Sequence, residues 1–246
     1  MHTKHTASAF AIAAVAALTL AACGGDDGSA PGAGAGHAGS PATQAGVLLA
    51  KIEFDVVEEL LRPGATVPLE VELEDAFGRD VPASGAANVK LEIVEDGTGG
   101  ARLSGAQLST NWEGEAPFAI MLGSNPGTVI VKATADRADN NIANGVDNEL
   151  SVLLGMTSAG NGLNWELPAV VNARSGATRL EDADDGAKGW RTYSVSGAGG
   201  FTLAECGDDV CLNVPASTAA GDYDVTFTVE DAAHATLSIP VKLVVR

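Results

Sequence analysis

Two cysteines late in the chain, Cys206 and Cys211, have a spacing that suits a disulfide bond. They flank the polar segment Gly207-Asp208-Asp209-Val210, and a short β-like run lies on each side of it. In a hairpin with a four-residue loop, the flanking residues face each other at about 4.5 to 5.5 Å, which is within disulfide reach. We expect the bridge to close in an oxidising compartment. A redox-active or metal-binding dithiol is the alternative, but the spacing is not C-x-x-C and no histidine stands near to complete a zinc set.

Two loops rich in side-chain oxygens are candidates for calcium binding, because Ca²⁺ prefers about six to eight hard oxygen ligands. The acidic candidates are Asp136, Asp139 and Asp147 in the first loop and Asp182, Asp184 and Asp185 in the second. Neither loop follows the D-x-[DN]-x-[DN]-G register of a calcium loop. Asp and Asn also favour ordinary solvated turns. The sequence therefore favours turns and keeps calcium as the alternative, with no other cofactor expected.

No catalytic constellation is visible in the sequence. Beyond residue 46 the one histidine is His234, in a predicted hairpin turn. Acid–base and nucleophilic catalysis need a base that a partner orients, and the chain has neither G-x-S-x-G nor H-E-x-x-H. We therefore expect no catalytic residue and no enzyme activity.

Exposed aromatic side chains would instead mark a site for a protein or a glycan. The tryptophans are Trp112, Trp165 and Trp190. Trp112 lies in a predicted turn, where a role in covering the core and a role in contacting a partner are both open.

A third cysteine, Cys23, ends a short apolar segment near the start of the chain. The segment follows Lys4, runs from Ala7 to Leu20, and is separated from the cysteine only by Ala21-Ala22. This pattern resembles the signal peptide of bacterial lipoproteins. The resemblance implies that residues 1–22 are removed and that Cys23 becomes acylated, with palmitate among the attached chains. A membrane-spanning helix is the weaker alternative, because the run is shorter than the ~20 residues that a span needs.

The residue after Cys23 is Gly24 and not Asp. In the sorting systems that this signal resembles, Asp at that place favours the inner membrane, so we expect an outer-membrane lipoprotein, periplasmic or surface-exposed. Residues 23–46 consist mostly of Gly, Ala, Ser and Pro, and we expect them to form a disordered tether.

The chain is strongly acidic, with 32 Asp and Glu against 14 Lys and Arg and a formal net charge of −18. Nucleic acids and anionic headgroups are polyanions, so this charge excludes them as natural partners. We expect membrane contact through the lipid anchor alone, together with an unknown protein or glycan partner.

From residue 50 onward, apolar and polar residues alternate with a period of two. Such alternation predicts half-buried antiparallel strands, and the runs are separated by Asp, Asn, Pro and Gly at turns. The clearest runs carry Ile52, Phe54 and Val56; Val67, Leu69, Val71 and Leu73; and Val89, Leu91 and Ile93. Short strands at this spacing, with no sustained helical period between them, predict β-sandwiches.

Three segments in the first half resemble the Ig-like modules of bacterial invasins and intimins. They are residues 67–83 (VPLEVELEDAFGRDVPA), 108–116 (LSTNWEGEA) and 126–134 (PGTVIVKAT). The resemblance implies an Ig-like fold over residues 47–155 and, at most, an adhesive or spacer role.

A second stretch, residues 220–231 (AGDYDVTFTVED), is similar to a signature of bacterial Ig-like and cadherin-like modules. It predicts a second Ig-like sandwich over residues 156–246, with residues 155–162 as a joint and with cores that do not merge. Pro240 cannot donate to a β-ladder, so we expect the last strand to lie at a sheet edge.

The sequence thus predicts an all-β chain with two tandem Ig-like β-sandwiches behind a signal peptide and a tether. The leading hypothesis is a non-enzymatic envelope lipoprotein that acts in adhesion or interaction. A periplasm-facing scaffold or accessory subunit of an envelope complex is the first alternative, and an enzyme or small-ligand receptor is the second.

Overall fold

A computed structural model describes residues 49–56, 61–159, 162–183 and 190–246 of the chain. The predicted signal peptide, Cys23 and the tether lie outside these residues. The described chain forms the 3₁₀ turn η1 (Ile142–Asn144) and sixteen strands: β1 (Leu49–Val56), β2 (Thr66–Asp75), β3 (Val89–Asp96), β4 (Arg102–Leu103), β5 (Gln107–Leu108), β6 (Glu115–Met121), β7 (Thr128–Asp136), β8 (Glu149–Thr157), β9 (Asn164–Pro168), β10 (Val170–Ala173), β11 (Gly176–Leu180), β12 (Arg191–Gly197), β13 (Thr202–Glu205), β14 (Val210–Val214), β15 (Gly221–Asp231) and β16 (Thr236–Val245). The all-β prediction is confirmed.

The first sandwich has the strand order of an Ig domain. Sheet 1 runs β1-β2-β6-β4 and sheet 2 runs β5-β3-β7-β8-β9. With the seven main strands named A to G along the chain, sheet 1 is A-B-E-D and sheet 2 contains C-F-G, which is the Ig arrangement. The alternation read from the sequence produces this sandwich: on β2, Val67, Leu69, Val71 and Leu73 are all buried in its core.

The second sandwich repeats the Ig order with one change at its first strand. Sheet 3 runs β10-β16-β15-β12 and sheet 4 runs β11-β14-β13, so the strands correspond to A-G-F-C and B-E-D. The first strand, β10, pairs in parallel with the last strand, β16. Two Ig-like sandwiches are therefore present, as the sequence predicts.

Strand β9 joins the two sandwiches, and it corrects the predicted joint at residues 155–162. Gly155 and the two residues after it complete β8, and β9 pairs with β8 in the same sheet. Trp165 and Leu167 on β9 nevertheless belong to the core of the second sandwich. The residues on both sides of the predicted joint therefore belong to one continuous sheet. Pairing of β9 with β8 allows Trp165 and Leu167 to be buried in the second core.

Sheet 2 consequently has a core on each of its faces. Val152, Leu154 and Met156 of β8 point into the first core, whereas Leu153 and its neighbour Ile130 on β7 belong to the second. The two cores stay distinct as clusters, but they are separated by a single sheet. Independent folding of residues 47–155 and 156–246 stays a prediction. In the structure, the chain leaves sheet 2 after β9 and enters sheet 3 at β10.

The last strand is not at an edge, which corrects the expectation drawn from Pro240. Strand β16 lies between β10 and β15. The amide of Lys242 donates to Ala169 on the β10 side at 3.1 Å. The Pro240 nitrogen points to that same side two residues earlier, before the pairing with β10 begins at Lys242. Proline is tolerated in this central strand because no ladder donor is needed at its position.

A glutamate from β9 closes the open side of the first sandwich. A carboxylate oxygen of Glu166 accepts a hydrogen bond of 2.7 Å from the backbone amide of Phe54 on β1, the edge strand of sheet 1. Burial raises the pKa of Glu166 to about 8, and the nearby carboxylates of Glu181 and Glu53 push the pKa in the same direction. The Phe54 amide and Lys51 oppose this rise without cancelling it.

Among the described residues, the structure contains no helix that is both long enough and apolar enough to span a bilayer.

The absence of a side chain at Gly155 allows sheet 3 to approach sheet 2, and this closeness is testable. A Cβ atom there would lie 2.7 Å from Ile239 and 2.9 Å from Leu237. We expect Gly155→Val to lower the free energy of unfolding by about 2 kcal/mol through overpacking, measured by chemical denaturation. Thr192→Val, at an exposed position of β12, is the control and should change little. Equal stability of both variants would contradict the close packing of the two sheets.

Glu166 gives stability a defined pH dependence. A carboxyl group whose pKa rises from 4.5 to about 8 on folding binds its proton more tightly in the folded state. Its contribution is therefore complete below pH 4.5 and is lost as the pH rises towards 8. We expect Glu166→Gln to be more stable than the natural chain at pH 9, by roughly 5 kcal/mol, and to differ little at pH 4. Denaturation curves at both pH values make the test, and parallel pH profiles would contradict it.

Candidate functional site at the aromatic end

The predicted disulfide is present between Cys206 and Cys211, with their Cα atoms 5.8 Å apart. The geometry differs in one respect from the expectation. Cys211 lies opposite Ala204 in the β13–β14 ladder, and Cys206 is the first residue after β13. The bridge therefore joins two residues that are diagonal neighbours across the β13–β14 hairpin. The turn of this hairpin is tight, because the backbone amide of Cys206 donates to the carbonyl of Asp209 at 2.9 Å.

The first calcium candidate loop is organised by hydrogen bonds from its own backbone. The buried carboxylate of Asp136 accepts bonds from the amides of Ala138, Asp147 and Asn148 at 2.7, 2.9 and 3.0 Å. Burial raises its pKa, but these three donors outweigh the effect, so the pKa is lowered. Asp139 accepts from the Asn141 amide and from the Asn144 side chain. Asp147 is exposed and enters this network through its backbone amide.

In the second candidate loop, Asp182 is engaged with neighbouring side chains. Its carboxylate accepts a bond from Arg191 at 2.8 Å and a short one from the Tyr193 hydroxyl. Asp184 and Asp185 lie outside the described residues. Within the ranges that the structure describes, no three His, Cys, Asp or Glu side chains are grouped so that they could hold a metal ion.

The three tryptophans have different environments, which settles the question that the sequence left open. Trp165 is 0% exposed and packs against Tyr193 and Phe227 in the second core. Trp190 is 57% exposed and its ring lies edge-on to His234 at 6.2 Å. Trp112 is 77% exposed, so it does not cover a core.

Phe77, which the sequence placed only as part of a turn, is the most exposed large apolar side chain of the described residues at 81%. It lies in the turn after β2, as Trp112 lies in the turn before β6. The turn before β6 lies beside the end of β2, because the amide of Leu73 on β2 donates to the Gly114 carbonyl at 3.0 Å. A Cβ atom on Gly114 would lie only 2.8 Å from the Leu73 carbonyl oxygen. We call this pole of the first sandwich, with Phe77 and Trp112 at its surface, the aromatic end.

The turn that carries Phe77 is held by a buried aspartate. Asp75 accepts hydrogen bonds from the amides of Phe77 and Arg79 at 2.8 and 3.1 Å, and the Arg79 guanidinium pairs with it. The hydrogen bond from Arg79, followed by these amide bonds, lowers the pKa of Asp75. Arg79 also lies 5.1 Å from the centre of the Phe77 ring, over its face. Asp75 thus holds both the turn that carries Phe77 and the Arg79 guanidinium over the Phe77 ring.

Asn111 holds the turn that carries Trp112 in the same manner. Its side-chain oxygen accepts bonds from the amides of Glu113 and Glu115 at 2.8 and 3.0 Å. Behind this turn, buried Asn88 donates to the hydroxyl of Thr110 at 2.9 Å. The exposed aromatics therefore stand on rigid turns. A large aromatic residue at the centre of a turn is the signal by which Phe77 was detectable in the sequence.

No family model matches the chain. No curated protein matches it either.

Several solved structures are similar to the chain. The D0-D1 domain of intimin has a TM-score of 0.38 at 13% identity, covering 79% of this chain and 95% of that one. The Escherichia coli adhesin FdeC has a TM-score of 0.30 at 14% identity, covering 80% of this chain and 65% of the FdeC chain. Domains 5-6 of the S-layer protein SbsC have a TM-score of 0.27 at 13% identity, with 80% and 97% covered. An intimin structure is thus among the solved structures that are similar to this chain.

Proposed function

We propose that the protein is a non-enzymatic envelope lipoprotein whose Ig-like sandwiches act in adhesion or in binding a protein or glycan partner. The observation that carries this proposal is the aromatic end, where Phe77 and Trp112 are 81% and 77% exposed on two turns at the same end of the first sandwich. Large aromatic side chains are the most frequent anchors of binding interfaces, because covering them removes much apolar area from water. Their exposure here supports a partner that covers them.

Rigid presentation supports the same role. Asp75 and Asn111 fix the two turns through backbone hydrogen bonds. A site that is already ordered loses little conformational freedom when it binds. Within the described residues, the exposed side chain of His234 contacts Glu230 and Trp190.

The alternative to adhesion is a role as a periplasm-facing scaffold or accessory subunit of an envelope complex.

Site-specific crosslinking in intact cells tests the aromatic end. We expect a photoreactive amino acid at position 112 to form a discrete adduct with a partner, whereas the same amino acid at the comparably exposed position 190 forms none. Phe77→Ala should reduce the adduct at least fivefold without lowering the melting temperature, since the side chain is mostly in water. Equal adducts at both positions, or none at 112, would count against the proposal.

The lipid anchor and its location have a separate test. Cys23→Ser should prevent acylation and leave the protein unprocessed or soluble, whereas the natural chain should fractionate with the outer membrane. Protease added to intact cells then distinguishes surface display, where the chain is cut, from a periplasmic orientation, where it is protected. A processed Cys23→Ser chain that still partitions with membranes, or a natural chain in the inner membrane, would overturn the assignment.

A further inference from the structure

A cleft of about 600 Å³ lies where the two sandwiches separate. Strands β7 and β8 and the loop after β7 form one wall, and strands β10 and β16 form the other. Its charged lining residues are Lys132, Arg137, Glu149 and Arg246, and Pro168 and Val170 add apolar surface.

The cleft exists because one face of sheet 2 changes from apolar to charged side chains along its strands. Near the centre of the sheet that face carries Ile130 and Leu153, which are buried under the second sandwich. Further along, Lys132 and Glu149 occupy the same face, and their ion pair of 2.6 Å is partly exposed. Sheet 3 covers the apolar part only. The amide of Ala169 donates to the Ser151 carbonyl at 3.0 Å and pins the sandwiches together at the border.

Arg137 is the unusual residue of this cleft. Its backbone is fixed, because its amide donates to the Asn148 carbonyl at 2.8 Å and the neighbouring Asp136 organises the loop. Its side-chain Nε atom is buried, yet within the described ranges it has no hydrogen-bond partner. A buried donor without an acceptor is costly and is rare in folded proteins. The guanidinium that carries this Nε atom lines the cleft.

The charge of the cleft is exceptional for this chain, which has a formal net charge of −18. Glu149 balances Lys132, but no ion pair within the described residues involves Arg137 or Arg246. Cations in the described ranges are otherwise mostly paired, as Arg79 is with Asp75 and Arg191 with Asp182. The surplus of positive charge thus coincides with a cavity and an unsatisfied donor.

We propose that this cleft binds an organic oxyanion, a carboxylate or phosphate group carried on a small body with an apolar face. The guanidinium of Arg137 donates to the oxyanion, since its planar fork matches carboxylate and phosphate oxygens. Arg246 and Lys132 add positive charge, and Pro168 and Val170 contact the body of the ligand. This site is independent of the aromatic end, so failure of one proposal leaves the other standing.

Titration of the full mature chain with three related sugars tests the site. Glucuronate carries a carboxylate, glucose 6-phosphate carries a phosphate, and glucose carries neither; all are measured by calorimetry at constant ionic strength set with chloride. We expect saturable binding of at least one anionic sugar and none of glucose. The arm that binds more tightly identifies the preferred oxyanion. Absence of saturable binding in both anionic arms would overturn the proposal.

Variants locate the binding. Arg137→Gln should weaken it at least tenfold, and Arg137→Lys should weaken it less because the charge is kept. Arg102→Gln, which removes an exposed cation of β4, is the matched control and should leave binding unchanged. The melting temperature in chloride reports folding of each variant, and Arg246→Gln provides a second, exposed cleft variant should Arg137→Gln fold poorly. Unchanged binding in both cleft variants, or an equal loss in Arg102→Gln, would place the anion elsewhere.

Discussion

The packing of both faces of sheet 2 is the constraint on which the rest of this structure depends. A sheet with one core needs apolar residues at every second position, whereas a sheet with two cores needs them at nearly all positions. Strands β7 and β8 have buried residues on both faces where they lie between the two cores. Gly155 has no side chain, so Ile239 can pack closely against β8. The second sandwich is positioned by that face, and so is the cleft beside it.

Acidic residues perform much of the local work in this chain. At the ends of β2, β7 and β15, buried Asp75, Asp136 and Asp231 accept hydrogen bonds from the amides of the turns that follow. These turns would otherwise leave backbone donors near the core without acceptors. The same carboxylates that make the loops look like cation sites are thereby occupied, which explains how a strongly acidic chain keeps tight turns.

The two candidate binding regions differ in the kind of partner that they fit. The aromatic end offers large apolar rings and one cation on rigid turns, which suits contact with another surface. The cleft offers a concave, positively charged surface that includes the guanidinium of Arg137, which suits a small anion. Both depend on interactions between distant segments: the hydrogen bond between β2 and the turn before β6 in one case, and the separation of sheets 2 and 3 in the other.

The sequence alone determined the strands and the disulfide. Alternation along β2 and β15 is a local property, since neighbouring side chains point to opposite faces of a strand, and the spacing of Cys206 and Cys211 limits their separation directly. The resemblance of the segment before Cys23 to a lipoprotein signal is likewise carried by adjacent residues.

Only the tertiary structure decided the rest. The segment 155–162 looks like a linker because it is short and polar, yet residues 155–157 complete β8, which pairs with β9, and Trp165 and Leu167 on β9 are buried in the second core. Pro240 suggested that the last strand lies at a sheet edge, but β16 is a central strand whose pairing with β10 begins at Lys242, after the proline. Burial of Trp165, exposure of Trp112 and the missing partner of the Arg137 Nε atom depend on which distant surfaces meet, and no local pattern records that.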